Sequence, residues 1–99
     1  MIVTVFRSRL MPGLQDEYVA LVGRMERIAR TIPGYISHKG FWADDGERVT
    51  IVEFESEETH RAWAMHPEHM EAKKKGRSSF YQEYRVQVCA VERDSKFPK

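Results

Sequence analysis

The side chains best suited to chemistry lie between Trp63 and Tyr84. Trp63, His66 and His69 recur at helical spacing, so a helix would place the indole and both imidazoles near one face, which Pro67 interrupts. An imidazole titrates near neutral pH and can accept the proton of a phenol, which makes His69 a candidate general base. The sequence therefore predicts the site on this face.

The same two histidines could instead bind a metal ion. Imidazoles three residues apart suit two helical ligands, and His60, Glu68 or Glu71 could supply a third. Pro67 disturbs that geometry, however, and the chain has no His-Glu-x-x-His signature. We therefore predict no metal.

Further side chains are candidates for the walls of a substrate pocket. They come from both helical and strand segments: Phe6, Phe54, His60, Trp63, His66, Tyr84 and Arg85. Arg85 could bind an anion or equally pair across an interface. Aromatic residues at these spacings are also typical of a core, so the pocket and core interpretations both stay open.

A basic cluster follows these histidines, at Lys73, Lys74, Lys75 and Arg77. Cations at this position usually satisfy the last carbonyls of a helix, which is the interpretation we favour. Attraction of an anionic substrate is the alternative.

The composition indicates one small globular domain. The chain has 99 residues, of which 41% are hydrophobic and 31% charged, and its 16 basic residues nearly balance 15 acidic ones. This balance argues against a nucleic-acid partner. No apolar run approaches the roughly 18 residues of a membrane span, and the N-terminus lacks a signal-peptide pattern. We therefore expect a cytoplasmic protein with no membrane partner.

The first half of the chain predicts a strand, a helix and a hairpin. Ile2–Leu10 alternates and carries apolar side chains on both faces, so we expect a central strand. An apolar stripe over 14–32 then predicts a helix that ends at the Pro-Gly step of 33–34. Strands at 35–42 and 48–55 are joined by a turn with an Asp-Gly step, which is typical of hairpins.

The second half predicts a broken helix and a last strand. Ser56 offers an N-cap, and the helix after it should bend or restart at Pro67. A second helical piece over 70–75 is expected to stop at Gly76. After a short loop, 81–92 alternates as a strand that holds the only cysteine, Cys89, which we expect to be a small buried hydrophobe. Residues 1–92 thus form one domain, followed by a charged tail at 93–99.

This order of elements predicts an α+β fold. The pattern βαββαβ is typical of the ferredoxin-like arrangement, a four-stranded antiparallel sheet with both helices on one face. The other face would carry apolar residues from the first and last strands without a cover. Pairing two sheets face to face in a homodimer would bury it.

Three short stretches carry a family resemblance. They are Pro-Gly-Tyr at 33–35, Glu-Phe-Glu-Ser-Glu at 53–57, and His69 within Pro-Glu-His-Met at 67–70. With the order of elements, they resemble the antibiotic biosynthesis monooxygenase superfamily, and most closely its uncharacterised and quinol monooxygenase-like members. The resemblance implies a homodimeric α/β barrel with a pocket in each subunit between sheet and helices.

The resemblance carries over only in part. His69 matches the histidine of the quinol monooxygenase-like branch. The antibiotic-oxidising branch uses a pocket tyrosine, a strand asparagine and a strand tryptophan. In this sequence the corresponding positions hold His60, Thr50 and Phe54. The polar constellation of that branch is therefore not reproduced.

Haem chemistry is disfavoured by the same comparison. Of the residues that the haem-degrading branch uses, only the tryptophan is retained, as Trp63. The strand asparagine falls at Ser8 and the iron-ligating histidine at Lys73. We therefore expect no cofactor, although haem stays an open alternative.

Together these observations predict a small homodimeric oxygenase without a cofactor. It would use dioxygen to oxidise a phenolic or quinol-type aromatic molecule, with His69 as base and Trp63 as pocket wall. The alternative is a non-catalytic binding or stress-response domain that holds a small aromatic ligand or haem. An isomerase or lyase that acts by proton transfer alone needs only the same histidine and also stays open.

Overall fold

Residues 1–98 are described by a computed structural model, in which strands alternate with helices. The strands are β1 (Ile2–Leu10), β2 (Tyr35–Trp42), β3 (Arg48–Phe54) and β4 (Tyr81–Ala90). The helices are α1 (Gln15–Arg30), α2 (Glu57–Ala64) and α3 (Pro67–Lys75), and α3 continues into a π-helical turn (Gly76–Phe80).

The sheet is antiparallel throughout, with the strand order β2-β3-β1-β4. β1 is central, as its two apolar faces predicted, and it places Thr4 opposite both Val52 and Val88. The helices pack on the side of the sheet to which Thr4 and Val52 belong. This arrangement confirms the predicted ferredoxin-like α+β fold.

Local sequence signals explain where α1 ends and where α2 begins. Gly34 follows α1 with a φ of 93°, and a Cβ at this position would collide with Thr59, so only glycine fits the turn. The Ser56 Oγ accepts a hydrogen bond of 3.2 Å from the Thr59 backbone N–H, and the Thr59 hydroxyl caps the Ser56 N–H in return. The predicted N-cap is therefore confirmed as a full capping box.

The break between α2 and α3 occurs at Pro67, as expected. Pro67 is the first residue of α3, where a missing N–H costs nothing, and His66 caps the helix by accepting from the Glu68 N–H at 3.2 Å. α3 ends at Lys75 with Gly76 as its C-cap, as predicted, but the short loop expected after it is instead a π-helical turn. Gly76 keeps a helical φ of −57° and the backbone continues as the π-helical turn. A glycine fits there because the Tyr81 ring lies against the place of a Cβ.

The core forms where the helices meet β3. Ala29, Val52, Phe54 and Trp63 are its buried members. The opposite face of the sheet carries no helix among residues 1–98, and Cys89 on edge strand β4 is exposed there. The expectation of a buried cysteine is therefore wrong for the single chain, because no element among residues 1–98 covers that face. In this part of the chain, no helix is long and apolar enough to cross a membrane.

Candidate active site

A cavity of about 440 Å³ lies between the sheet and the helices. The strands contribute Thr4, Phe6, His38, Thr50, Val52, Tyr81, Tyr84, Val86 and Val88 to its lining. The helices and the π-helical turn contribute Tyr18, Leu21, Val22, Met25, His60, Trp63, Ala64, His69, Ala72, Lys73 and Arg77. The lining is mostly apolar with a few polar groups, which is typical of a small-molecule site.

His69 is held in one tautomer. Its Nδ1 lies 3.1 Å from the Ala64 carbonyl oxygen, and because a carbonyl can only accept, Nδ1 must carry the proton. Nε2 is then the acceptor of the neutral ring. Burial lowers the pKa of His69 to about 4, well below the near-neutral value expected from its type. The imidazole is therefore an unprotonated acceptor at neutral pH.

Three imidazoles surround the Trp63 indole. The ring centroid of His69 lies 4.1 Å from that of Trp63, and those of His60 and His38 lie 6.0 and 6.1 Å away. Burial lowers the pKa of His38 and of His60, and the charge of Lys73 lowers that of His60 further. All three rings are thus mainly uncharged at neutral pH.

Two buried polar groups of the lining have no partner among residues 1–98, the Trp63 Nε1 and the Thr50 Oγ1. His60 differs, since its Nε2 lies 2.7 Å from the Thr4 hydroxyl. An unpartnered buried donor costs free energy unless a ligand or water satisfies it. Both atoms are enclosed by protein, so they lie within the wall of the cavity and not at its accessible surface.

Aromatic rings form the opposite wall. Phe6 on β1 stacks on Tyr84 of β4 with the centroids 5.7 Å apart and the planes 11° apart. Tyr81 meets Tyr18 edge to face at 5.8 Å. Burial raises the pKa of Tyr81, so its phenol stays protonated. The wall is suited to a planar aromatic ligand.

Comparison with known proteins identifies the family. The family model described as antibiotic biosynthesis monooxygenase matches residues 1–75. The chain belongs to the antibiotic biosynthesis monooxygenase family. An uncharacterised protein of Bacillus subtilis, YqjZ, is 35% identical over 74 residues, which cover 75% of this chain and 65% of YqjZ. The chain thus spans less than two thirds of that relative.

Solved structures show the same fold at low identity. Rv0793 from Mycobacterium tuberculosis matches with a TM-score of 0.85 and 18% identity, over 96% of this chain and 98% of its own. SnoaB, a cofactor-independent oxygenase from Streptomyces nogalater, matches with a TM-score of 0.79 and 15% identity, over 99% and 97%. The chain therefore has a monooxygenase-like fold.

Within this family fold, five side chains expected from the sequence line the cavity: Phe6, His60, Trp63, His69 and Tyr84. Three others do not. His66 caps α3, and Phe54 is fully buried behind Trp63, with the ring centroids 5.6 Å apart. Arg85 lies opposite Arg7 on β1, so it alternates with the lining residue Tyr84 and belongs to the other face of the sheet.

Sequence reasoning missed part of the lining. His38 was not considered, although its place opposite Val52 in the hairpin puts it on the core side. Tyr18 and Tyr81 were assigned only to a helix stripe and to a strand. The available signal was the hairpin register, which fixes the side of His38 once β3 is oriented. Among residues 1–98, no group of three or more potential ligand side chains is arranged to hold a metal.

Proposed function

We propose that this chain is a cofactor-independent oxygenase that uses dioxygen to oxidise a phenolic or quinol-type aromatic bound in the cavity. The observation that carries the proposal is the state of His69. The Ala64 carbonyl fixes the proton on Nδ1, which leaves Nε2 of a cavity-lining ring free to take a proton from the substrate. SnoaB, which shares the fold, is a cofactor-independent oxygenase.

In the proposed reaction, His69 removes the hydroxyl proton and the electron-rich aromatic gives one electron to dioxygen. Recombination of the radical pair forms a carbon–oxygen bond. One oxygen atom stays as a new carbonyl, and the other leaves as water with two hydrogen atoms from the substrate. The mostly apolar lining of the cavity limits contact between water and the radical pair.

The low pKa of His69 determines the free-energy cost of proton transfer from the substrate. The ordinary pKa of a phenol, about 10, exceeds the pKa of His69, about 4, by about six units. Transfer of the proton from the phenol to His69 therefore costs about 8 kcal/mol. A reaction that turns over about 10 times per second has a barrier of about 16 kcal/mol. Proton transfer to His69 would therefore use about half of the available barrier, and the electron transfer could follow.

We also propose a homodimer. Val3, Val5, Val49 and Ile51 are only partly covered on the helix-free face of the sheet, where Cys89 of edge strand β4 is exposed. A second copy that packs against this face would bury them. Light scattering after size exclusion should give twice the mass of the chain, and a monomer at high protein concentration would contradict this part of the proposal.

Oxygen uptake tests the activity. Purified protein, treated with a chelator and checked for the absence of haem absorbance, is mixed in air with a panel of hydroquinones. We expect uptake that falls by about 100-fold or more in His69→Ala. His66→Ala is the matched control, because this histidine lies only three residues away and does not line the cavity. Equal rates in both variants, or no uptake above buffer in the wild type, would refute the proposal.

A second candidate function is non-catalytic binding of a small aromatic ligand or haem. The observation that favours it is again the pKa of His69, because a group with a pKa of about 4 is a weak base. Haem titration separates the two candidates. A Soret shift that is lost in His69→Ala, without oxygen uptake by the wild type, would favour the binding protein.

A further inference from the structure

We infer that the substrate of this site carries an anionic group, such as a ring carboxylate, that Lys73 and Arg77 hold at the edge of the cavity while the ionisable hydroxyl faces His69. This inference rests on the proposed function and specifies its substrate class. It reverses the expectation that the basic cluster serves only the end of α3.

The charge of the cavity lining favours an anionic ligand. Lys73 and Arg77 both line the cavity, whereas no acidic side chain does so in the described part of the chain. Neither cation forms an ion pair within residues 1–98. Their spacing of four residues over α3 and the π-helical turn places them on one side. The cavity edge is therefore a positive surface without a counter-ion.

The carbonyls at the end of α3 are already satisfied by backbone donors. The sequence suggested that the cations satisfy them, but the Gly76 N–H already donates to the Ala72 and Lys73 carbonyls. The Tyr81 N–H donates in turn to the Gly76 carbonyl. Because the π-helical turn continues the backbone hydrogen bonding, these carbonyls do not require a lysine or arginine side chain.

The imidazoles inside the cavity favour a ligand that has a proton to give. His69 lines the cavity, and its Nδ1 donates to the Ala64 carbonyl, so Nε2 is an acceptor of the neutral ring. The Nε2 of His60 is occupied by Thr4. A ligand that suits this lining has a proton to give to His69 and an anionic group for the two cations. A hydroxylated aromatic carboxylate fits, whereas a cationic aromatic does not.

Binding without dioxygen tests the inference. Hydroquinone and gentisate share a dihydroxylated ring, and only gentisate carries a carboxylate. Anaerobic titration, followed by tryptophan fluorescence and calorimetry, should show gentisate binding about tenfold more tightly at low salt, with the preference reduced by added salt. Lys73→Ala and Arg77→Ala should each lower gentisate affinity about three- to fivefold and leave hydroquinone affinity unchanged. Lys73→Arg should restore it.

Lys74→Ala is the matched control. It removes the same charge at the next residue, and the Lys74 side chain does not line the cavity. It should leave the preference intact. Equal affinities for the two ligands, an equal loss in Lys74→Ala, or no binding of either ligand at millimolar concentration would overturn the inference. Thermal denaturation of every variant checks that the fold is retained.

The outcomes separate this inference from the proposed function. A carboxylate preference that depends on Lys73 and Arg77, without any oxygen uptake, would refute the oxygenase and leave the anionic ligand class standing. Oxygen uptake from hydroquinone, with no preference for gentisate and no effect of Lys73→Ala, would refute the anionic substrate and leave the oxygenase standing.

Discussion

The burial of His69 should make the chain less stable in mild acid. Its pKa is about 4 in the folded chain and about 6.5 for an exposed imidazole. Between these values the unfolded chain binds more protons than the folded one, so unfolding takes up a proton. The free energy of unfolding must therefore fall as the pH falls from about 6.5 to about 4, and this contribution is fully present only above that window.

The magnitude follows from the two pKa values. The full difference of about 2.5 units corresponds to about 3.4 kcal/mol, which is lost below about pH 4. At about pH 5 the expected loss is about 2 kcal/mol relative to about pH 7.5. Since the pKa values of His38 and His60 are also lowered by burial, the wild type should lose at least this amount.

Urea unfolding at the two pH values isolates the part due to His69. In His69→Gln the side chain can still donate to the Ala64 carbonyl but does not titrate. This variant should lose about 2 kcal/mol less than the wild type between about pH 7.5 and about pH 5. An equal loss in wild type and His69→Gln would refute the assignment of a buried, neutral imidazole.

Three further changes test the local structure of the chain. Gly76→Ala should destabilise the chain by about 1–3 kcal/mol, because the added Cβ meets the Tyr81 ring at 2.5 Å. Gly23→Ala should have the opposite effect. A Cβ at this position within α1 would meet only the Arg27 side chain, at 3.8 Å. Thermal denaturation should therefore show that the free energy of unfolding rises by about 0.5–1 kcal/mol. Ser56→Ala removes the cap of α2 and should cost about 1 kcal/mol in urea unfolding, whereas no change would mean that the capping box is not formed in solution.

Much of the fold was accessible from the sequence because its signals are local. The alternation of Ile2–Leu10, the hairpin turn and the cap at Ser56 each depend on a few neighbouring residues. The π-helical turn in place of the loop expected after Gly76, and the exposure of Cys89, have a different origin. Gly76 is explained by the Tyr81 ring and Cys89 by an uncovered sheet face, and both are tertiary facts that local patterns do not contain.

The site was accessible only in part, and for a related reason. Trp63 and His69 are six residues apart and would not meet in one continuous helix. Their rings lie 4.1 Å apart because the chain restarts at Pro67 and turns α3 against α2. The same restart makes His66 the N-cap of α3, so it does not share a helix face with Trp63 and His69 as their sequence spacing predicted. The pKa of His69 likewise depends on burial, which its spacing could not reveal.

The most direct test of the central claim follows the oxygen atoms. Chelator-treated, haem-free protein is supplied with a hydroquinone or gentisate and isotopically labelled dioxygen, and the product is analysed by mass spectrometry. An oxygenase that uses His69 as base should place one labelled oxygen atom in the product, and His69→Ala should not, while His66→Ala should. Unlabelled product from the wild type, or equal labelling by His69→Ala, would contradict the account.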